Sequence, residues 1–260
     1  MIKLAANLTM MFNEVPFLER FEAASACGFK GVEYLFPYEH PVERIASARE
    51  AAGVHQALFN LPPGDWSAGE RGIAALPGRE EEFERSIELA LEYALALRTP
   101  RVHVMSGLIG DKDPTEMERT YRRNLRVAAE RFGERGIEIV IEPINHRDIP
   151  RYYLQTTAQA CATIDAVGSA NLKLQLDLYH CQITEGDLVH HVRDLAGRYS
   201  HVQIAGNPDR NEPDRGEVDY AYVLQALDAG GYDGWVGCEY RPRAGTREGL
   251  VWAAPFGISG

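Results

Sequence analysis

The chain has 260 residues, of which 45% are hydrophobic and 25% are charged, a composition typical of a globular protein with a sizeable core and not of a disordered one. Its 27 Lys and Arg against 38 Asp and Glu give a net charge of −11, which repels phosphate backbones and anionic membranes, so we expect neither nucleic acid nor membrane as a partner. The cysteines form no C-x-x-C pair and no apolar stretch reaches the roughly 18 residues of a membrane span, which favours reduced thiols and a cytoplasmic location.

Short apolar or β-branched runs alternate with amphipathic helix patterns such as residues 79–97 along the whole chain, which predicts βαβ units around a parallel sheet. The predicted strands are Lys3–Asn7, Gly31–Leu35, Val54–Asn60, Arg101–Met105, Ile137–Glu142, Leu172–Asp177, His201–Ala205 and Trp235–Glu239. Eight such units predict an α/β fold, a single (β/α)8 TIM barrel with residues 1–260 as one domain.

Two long loops interrupt this alternation. Residues 61–78 are rich in Gly and Pro but carry Trp66 and Arg71, and long loops with aromatic content in compact domains are usually functional. Residues 206–217 follow the seventh strand and carry Arg210. We expect the first loop to form a lid over the carboxyl-terminal mouth of the barrel and the second to open onto the same face.

Four consecutive predicted strands end in an oxygen-bearing side chain: Glu142, Asp177, Gln203 and Glu239. A hydrogen bond to neighbouring backbone would explain any one of them equally well, but four in succession at the mouth of one barrel favour an active site. Three carboxylates in one cavity repel each other unless some are protonated or a cation binds. All-oxygen ligands favour Mg²⁺ or Mn²⁺ over Zn²⁺ or Cu²⁺.

The segments around these residues resemble the hydroxypyruvate isomerase family. At the strand ends they are IEPIN (141–145), DLYH (177–180), VQIA (202–205) and GCEY (237–240). Elsewhere they are ANLTM (6–10), NLPPGDW (60–66), AGERGI (68–73) and PGREEEF (77–83). The likeness covers nearly the whole chain, whereas the strand-end motifs alone also fit the wider xylose isomerase-like superfamily of barrels.

The resemblance implies a divalent metal, Mg²⁺ or Mn²⁺, held by Glu142, Asp177, Gln203 and Glu239, with Glu142 and Glu239 as the proton-transfer pair. A metal bound to the carbonyl and hydroxyl oxygens of an α-hydroxy carbonyl compound stabilises the enediolate that forms when a C–H proton leaves. One carboxylate would remove this proton and another would return it to the neighbouring carbon. The implied reaction converts hydroxypyruvate, a small hydroxy-keto acid, into tartronate semialdehyde.

The substrate-binding candidates are His180, Arg71, Arg210, Asn7 and Asp148. His180 either donates to a substrate oxygen or braces a metal ligand. Asp148 stands where related epimerases have a substrate-contacting Glu, one methylene longer. The substrate carboxylate calls for a cationic clamp, for which Arg71 and Arg210 are candidates; a surface ion pair explains each equally well.

Other functions remain open at the level of the sequence. Phe59 and Gly206 replace the His and Asp that are frequent in the family near the mouth, which points toward 2-oxo-tetronate as an alternative substrate. A ketose 3-epimerase or dehydratase would keep the barrel and the metal, although the epimerases have His at the position of Gln203. A metal-dependent endonuclease is disfavoured by the acidic charge, and a barrel that binds a sugar acid without turnover is a remote alternative. The apolar residues 250–256 either close the barrel or pack on a partner subunit in a homo-oligomer.

Overall fold

The computed structural model describes residues 2–260. Eight parallel strands follow one another around a closed barrel, because the first strand pairs with both the second and the eighth. The strands are β1 Lys3–Asn7, β2 Gly31–Glu33, β3 His55–Asn60, β4 Arg101–His103, β5 Glu138–Ile141, β6 Leu172–Asp177, β7 Tyr199–Ile204 and β8 Trp235–Cys238. The predicted (β/α)8 TIM barrel is confirmed.

Helices connect the strands. They are α1 Arg20–Ala26, α2 Val42–Ala52, α3 Glu80–Leu97, α4 Pro114–Gly133, α5 Thr157–Val167, α6 Leu178–Thr184, α7 Leu188–Asp194 and α8 Tyr220–Ala229, with 3-10 segments at Phe17–Glu19 and Glu248–Phe256. In α3, Phe83, Ile87 and Leu91 are buried on one face and three glutamates occupy the first turn, where the helix dipole favours negative charge. The helix predicted over residues 79–97 is confirmed. Among residues 2–260 no helix combines the length and apolar character of a membrane span.

The strands end slightly earlier at the mouth than the sequence indicates. Glu142 and Glu239 each lie one residue beyond their strand, while Asp177 is the last residue of β6. Backbone bonding nevertheless continues past the strand ends, because the Glu239 N–H donates to the Ile204 carbonyl at 3.1 Å. The side chains therefore leave the barrel from backbone that is still held by its neighbours.

The barrel interior contains a buried polar group that we call the Glu33 cluster: Asn7, Glu33, His201, Gln203 and Gln175. The Glu33 carboxylate accepts from Asn7 Nδ2 at 3.0 Å and from Gln203 Nε2 at 2.8 Å, and His201 Nε2 lies 2.6 Å from its other oxygen. Residue 237 must be glycine, because a Cβ there would lie 2.3 Å from Glu33 Oε2. The interior is therefore organised around one satisfied carboxylate.

The carboxyl-terminal segment Glu248–Phe256 packs on its own barrel. Leu250 and Ala253 are buried, and the Trp252 indole N–H donates to the Tyr240 hydroxyl at 3.3 Å. Val251, in contrast, is 80% exposed. Packing on the barrel accounts for the buried residues of this segment, and packing on a partner subunit stays a prediction.

Candidate active site

A cavity of about 380 Å³ opens at the carboxyl-terminal mouth of the barrel. Six of the predicted site residues line it: Arg71, Glu142, Asp148, His180, Arg210 and Glu239. A second, more apolar groove of about 530 Å³ lies between α8 and the carboxyl-terminal segment and contains none of them. Most of the predicted site residues therefore meet in the cavity at the mouth.

Three side chains at the mouth of the barrel lie close enough together to hold one cation. Single oxygen or nitrogen atoms of Glu142, Asp177 and His180 lie within 4.8 Å of one another, and all three residues are buried. Glu142 Oε1 and Asp177 Oδ2 have no hydrogen-bond partner. Buried carboxylate oxygens without donors are costly unless a proton or a cation meets them, so this pair fits a hard divalent ion.

The carboxyl groups of the mouth have strongly perturbed pKa values. Burial raises the pKa of Glu142 well above its usual range, and the nearby Glu239 and Asp177 raise it further. Burial also raises the pKa of Asp177 and brings that of Glu239 to about 8, although Arg210 opposes both shifts. In the absence of a cation, protons therefore neutralise part of this cluster at neutral pH.

Arg210 is the buried cation of the mouth. Its guanidinium lies 2.9 Å from Asp148 Oδ2, 3.1 Å from Glu239 Oε2 and 3.9 Å from Asp177 Oδ2. Burial disfavours its charge, but these carboxylates outweigh that effect and raise its pKa. Its backbone adopts a φ of 56° and is held from both sides, by Gly206 and by Arg241. Arg210 thus links the carboxylates instead of standing free.

His180 follows Asp177 by three residues and is almost completely buried. Its Nε2 lies 3.6 Å from Asp177 Oδ2 and 3.7 Å from Glu142 Oε1, and its Nδ1 faces the side chain of Asn145 at 2.6 Å. Burial lowers the pKa of His180 well below its usual range, and the Arg210 charge lowers it further. The ring is therefore neutral and faces the cavity with one nitrogen.

The loop of residues 61–78 lies beside the mouth as predicted. The Arg71 guanidinium stacks on the Trp66 ring at 3.9 Å and donates to the Trp66 and Glu70 carbonyls. Trp66 in turn contacts Phe36 edge-on, with ring centroids 5.0 Å apart. Both Trp66 and Arg71 line the cavity. Movement of this loop as a lid stays a prediction.

Three predicted residues, Asn7, Asp177 and Gln203, are not among the residues that line the cavity, and the first and last of them point into the barrel. Asn7 donates to Glu33 and accepts from the Thr9 N–H at 3.1 Å, so both ends of its amide are occupied. Gln203 donates to Glu33, and its Oε1 accepts from Gln175 Nε2 at 2.6 Å. Both belong to the Glu33 cluster. The roles of Asn7 in substrate binding and of Gln203 as a metal ligand stay predictions, the latter through the second lone pair of its oxygen.

Sequence reasoning missed two residues with ionisable side chains that line the cavity, Arg241 and His103. Arg241 makes no ion pair with any other residue in the range 2–260, and its place two residues beyond Glu239 was the available signal. His103 ends β4, and its Nδ1 lies 3.6 Å from Glu142 Oε2. Burial lowers the pKa of His103 to about 3. The sequence placed the end of this strand at Met105, so the strand-end rule did not reach His103.

A second group of possible ligands, Cys181, Glu185 and His191, lies nearby. Glu185 accepts from the Thr157 N–H and hydroxyl, both at 2.9 Å, at the first turn of α5. These bonds satisfy both carboxylate oxygens. Glu185 therefore anchors the start of α5.

The closed parallel barrel and its acidic mouth place the chain among barrel enzymes whose site lies at the strand carboxyl ends. The family described as xylose isomerase-like TIM barrel matches residues 21–255. A 2-oxo-tetronate isomerase of Cupriavidus necator is 53% identical over 98% of this chain and 99% of its own length, and a hydroxypyruvate isomerase of Escherichia coli is 44% identical over 98% and 100%. A Brucella melitensis crystal structure described as AP endonuclease, family 2, superposes with a TM-score of 0.97 at 48% identity, covering 98% of this chain and 99% of that one.

The chain belongs to the xylose isomerase-like TIM barrel family and, within it, to the hydroxypyruvate isomerase group. The predictions of this family and of an isomerase are confirmed.

Proposed function

We propose that the protein is a metal-dependent isomerase of a short 2-oxo acid that carries a hydroxyl on carbon 3. In this reaction a proton moves from carbon 3 to carbon 2 and the hydroxyl proton moves between the two oxygens, so that the carbonyl shifts from carbon 2 to carbon 3 through an enediolate. The observation that carries the proposal is the pair of buried oxygens without a partner on Glu142 and Asp177, where Glu142 and Glu239 line a cavity of substrate size.

Glu142 and Glu239 are suited to move the carbon-bound proton. Both are buried at the mouth with pKa values raised above the usual range, to about 8 for Glu239, so either can hold or release a proton near neutral pH. Mg²⁺ or Mn²⁺ held by Glu142, Asp177 and Glu239, with Gln203 as the fourth expected ligand, would stabilise the negative charge that develops on the two substrate oxygens. His180 Nε2 faces the same region and contacts substrate oxygen.

The arginines of the mouth are suited to bind the substrate carboxylate. Arg71 and Arg210 were the candidates from the sequence, and both line the cavity. Arg210 is already paired with Asp148 and Glu239, and Arg71 is stacked on Trp66. Arg241 has no such partner among residues 2–260, so we add it as a clamp for an incoming carboxylate.

Hydroxypyruvate, which would become tartronate semialdehyde, is the first substrate to test. The four-carbon 2-oxo-tetronate is the second candidate, because the 53% identical relative from Cupriavidus necator bears that name and a cavity of about 380 Å³ has room for a fourth carbon. Both acids share the carboxylate, the 2-oxo group and the 3-hydroxyl. The same site chemistry therefore serves either one.

Proton NMR of each acid in D2O, with Mg²⁺ or with EDTA, tests this function. We expect metal-dependent conversion of at least one acid, loss of turnover in Glu239→Gln, and deuterium at carbon 2 of the product. Deuterium exchange without product would mean that the enediolate forms but the substrate is another compound. No exchange with either acid and any divalent metal would refute the proposal.

An endonuclease is the alternative raised by the description of the Brucella melitensis structure. The net charge of −11 opposes binding of a phosphate backbone. A multinuclear zinc site would need several histidines, whereas His103 and His180 are the two that line the cavity. We therefore expect no cleavage of DNA that contains an abasic site.

A further inference from the structure

Asn145 follows β5 in a tight turn, and its amide orientation is determined by the backbone. Its Oδ1 accepts from the N–H groups of Arg147 and Asp148, both at 2.9 Å. The reverse orientation would place an NH₂ group against two N–H donors. The assignment of oxygen and nitrogen, which is ambiguous for many amides, is therefore settled here by the hydrogen-bond partners. The amide nitrogen must point the other way.

The amide nitrogen points at His180. Asn145 Nδ2 lies 2.6 Å from His180 Nδ1, and the Asn145 backbone N–H points at the same nitrogen from 3.5 Å. Both residues are buried, with 0% and 3% exposure. An NH₂ group only donates, so Nδ1 must accept and carries no hydrogen. The hydrogen of the neutral ring is then on Nε2.

One contact opposes this assignment. Arg210 Nη2 lies 3.4 Å from His180 Nε2, where an N–H on the ring would meet another donor. This contact is long, whereas the Asn145 contact at 2.6 Å is short, and hydrogen bonds weaken steeply with distance. The balance of contacts places the hydrogen on Nε2.

We infer that Asn145 is a positioning residue that holds His180 in the tautomer with hydrogen on Nε2, directed into the cavity. The consequence for catalysis rests on the proposed function: His180 donates to the substrate oxygen that gains negative charge as the carbon-bound proton leaves.

The tautomer can be measured in the resting protein, without metal or substrate. In protein labelled with ¹⁵N-histidine, long-range ¹H–¹⁵N spectra distinguish protonated from unprotonated ring nitrogens, and His180→Gln assigns the signal. We expect hydrogen on Nε2 of His180. Hydrogen on Nδ1 would overturn the inference.

Asn145→Asp keeps the hydrogen bonds of the turn but replaces the NH₂ donor that faces His180 with an acceptor oxygen. One carboxylate oxygen still accepts from the Arg147 and Asp148 N–H groups, while the other now faces His180 Nδ1 and requires a hydrogen there. We expect the spectrum of the variant to show a protonated Nδ1 and kcat to fall on the order of 10- to 100-fold, as for partners that orient a functional His. An unprotonated Nδ1 in the variant would overturn the inference. So would a hydrogen on Nδ1 of the variant together with an unchanged kcat.

Asn171→Asp is the matched control. Asn171 donates to the backbone carbonyls of Ala129 and Ile137 at the amino-terminal end of β6, far from the mouth. The same change there lowers stability but leaves the His180 spectrum as it is. If Nε2 carries the hydrogen and neither acid is turned over, the proposed function fails while the tautomer assignment stands. The two claims are therefore tested separately.

Discussion

The barrel contains two sets of buried carboxylates that differ in the hydrogen-bond donors around their oxygens. In the Glu33 cluster, donors from Asn7, Gln203 and His201 surround the carboxylate. At the mouth, Glu142 and Asp177 each keep one oxygen without any donor. Both sets are fully buried, so burial alone does not separate structure from function. The difference teaches that buried carboxylate oxygens left without a partner mark the place where a ligand completes the site.

The largest effect is expected at the mouth. Glu239→Gln removes a proton-transfer group and leaves the barrel intact, so kcat should fall by about 10²- to 10⁴-fold. Steady-state rates with hydroxypyruvate and 2-oxo-tetronate measure this. The free energy of unfolding without metal should stay the same or rise, because burial disfavours the charged form of Glu239 more than Arg210 favours it. A variant with normal kcat would exclude Glu239 from proton transfer.

Glu33 should behave in the opposite way. Glu33→Ala leaves three buried donors without an acceptor, at about 1 kcal/mol or more each, so the free energy of unfolding should fall by about 3 kcal/mol or more. Glu33→Gln keeps one acceptor oxygen and should lose less. Chemical denaturation of the metal-free proteins measures both. A loss for Glu239→Gln as large as that for Glu33→Ala would break the distinction between the clusters.

The pH dependence of stability should also separate the clusters. The pKa values of Glu142, Asp177 and Glu239 are raised in the folded protein, so their contribution is present at low pH and is lost as the pH rises through about 8, the value for Glu239. The Tm of the EDTA-treated protein should therefore fall as the pH rises from the usual carboxyl value of 4.5 to about 8. Bound Mg²⁺ or Mn²⁺ should reverse the trend, because metal binding displaces these protons. Glu239→Gln should flatten the slope, and an equal slope in that variant would assign the effect to other groups.

The smallest effect is expected from the exposed arginine. Arg241→Ala should raise KM for either keto acid about tenfold with little change in kcat, because a charge-assisted hydrogen bond to the substrate carboxylate contributes about 1.5 kcal/mol or more. Arg241→Lys should recover part of the loss. The same measurement on Arg71→Ala compares the two candidates. If KM changes only in Arg71→Ala, the clamp belongs to the loop of residues 61–78.

The strands and the acidic mouth could be predicted because they depend on local pattern. Alternating apolar runs mark eight strands, and a parallel barrel necessarily brings their carboxyl ends to one face. Glu142, Asp177 and Glu239 could therefore be assigned to one place. The orientation of the Gln203 side chain could not be predicted, because its hydrogen-bond partners Glu33 and Gln175 come from other strands.

The sequence by itself determined the fold class, the family and the type of side chain at each strand end, since these follow from periodicity and motif. Only the tertiary structure decided which carboxylates are satisfied, which arginine is unpaired and which nitrogen of His180 carries hydrogen. Asn145 and His180 are 35 residues apart, and Glu33 and His201 are 168 apart. Hydrogen bonds depend on distances of a few tenths of an ångström, which only the packing of the closed barrel determines.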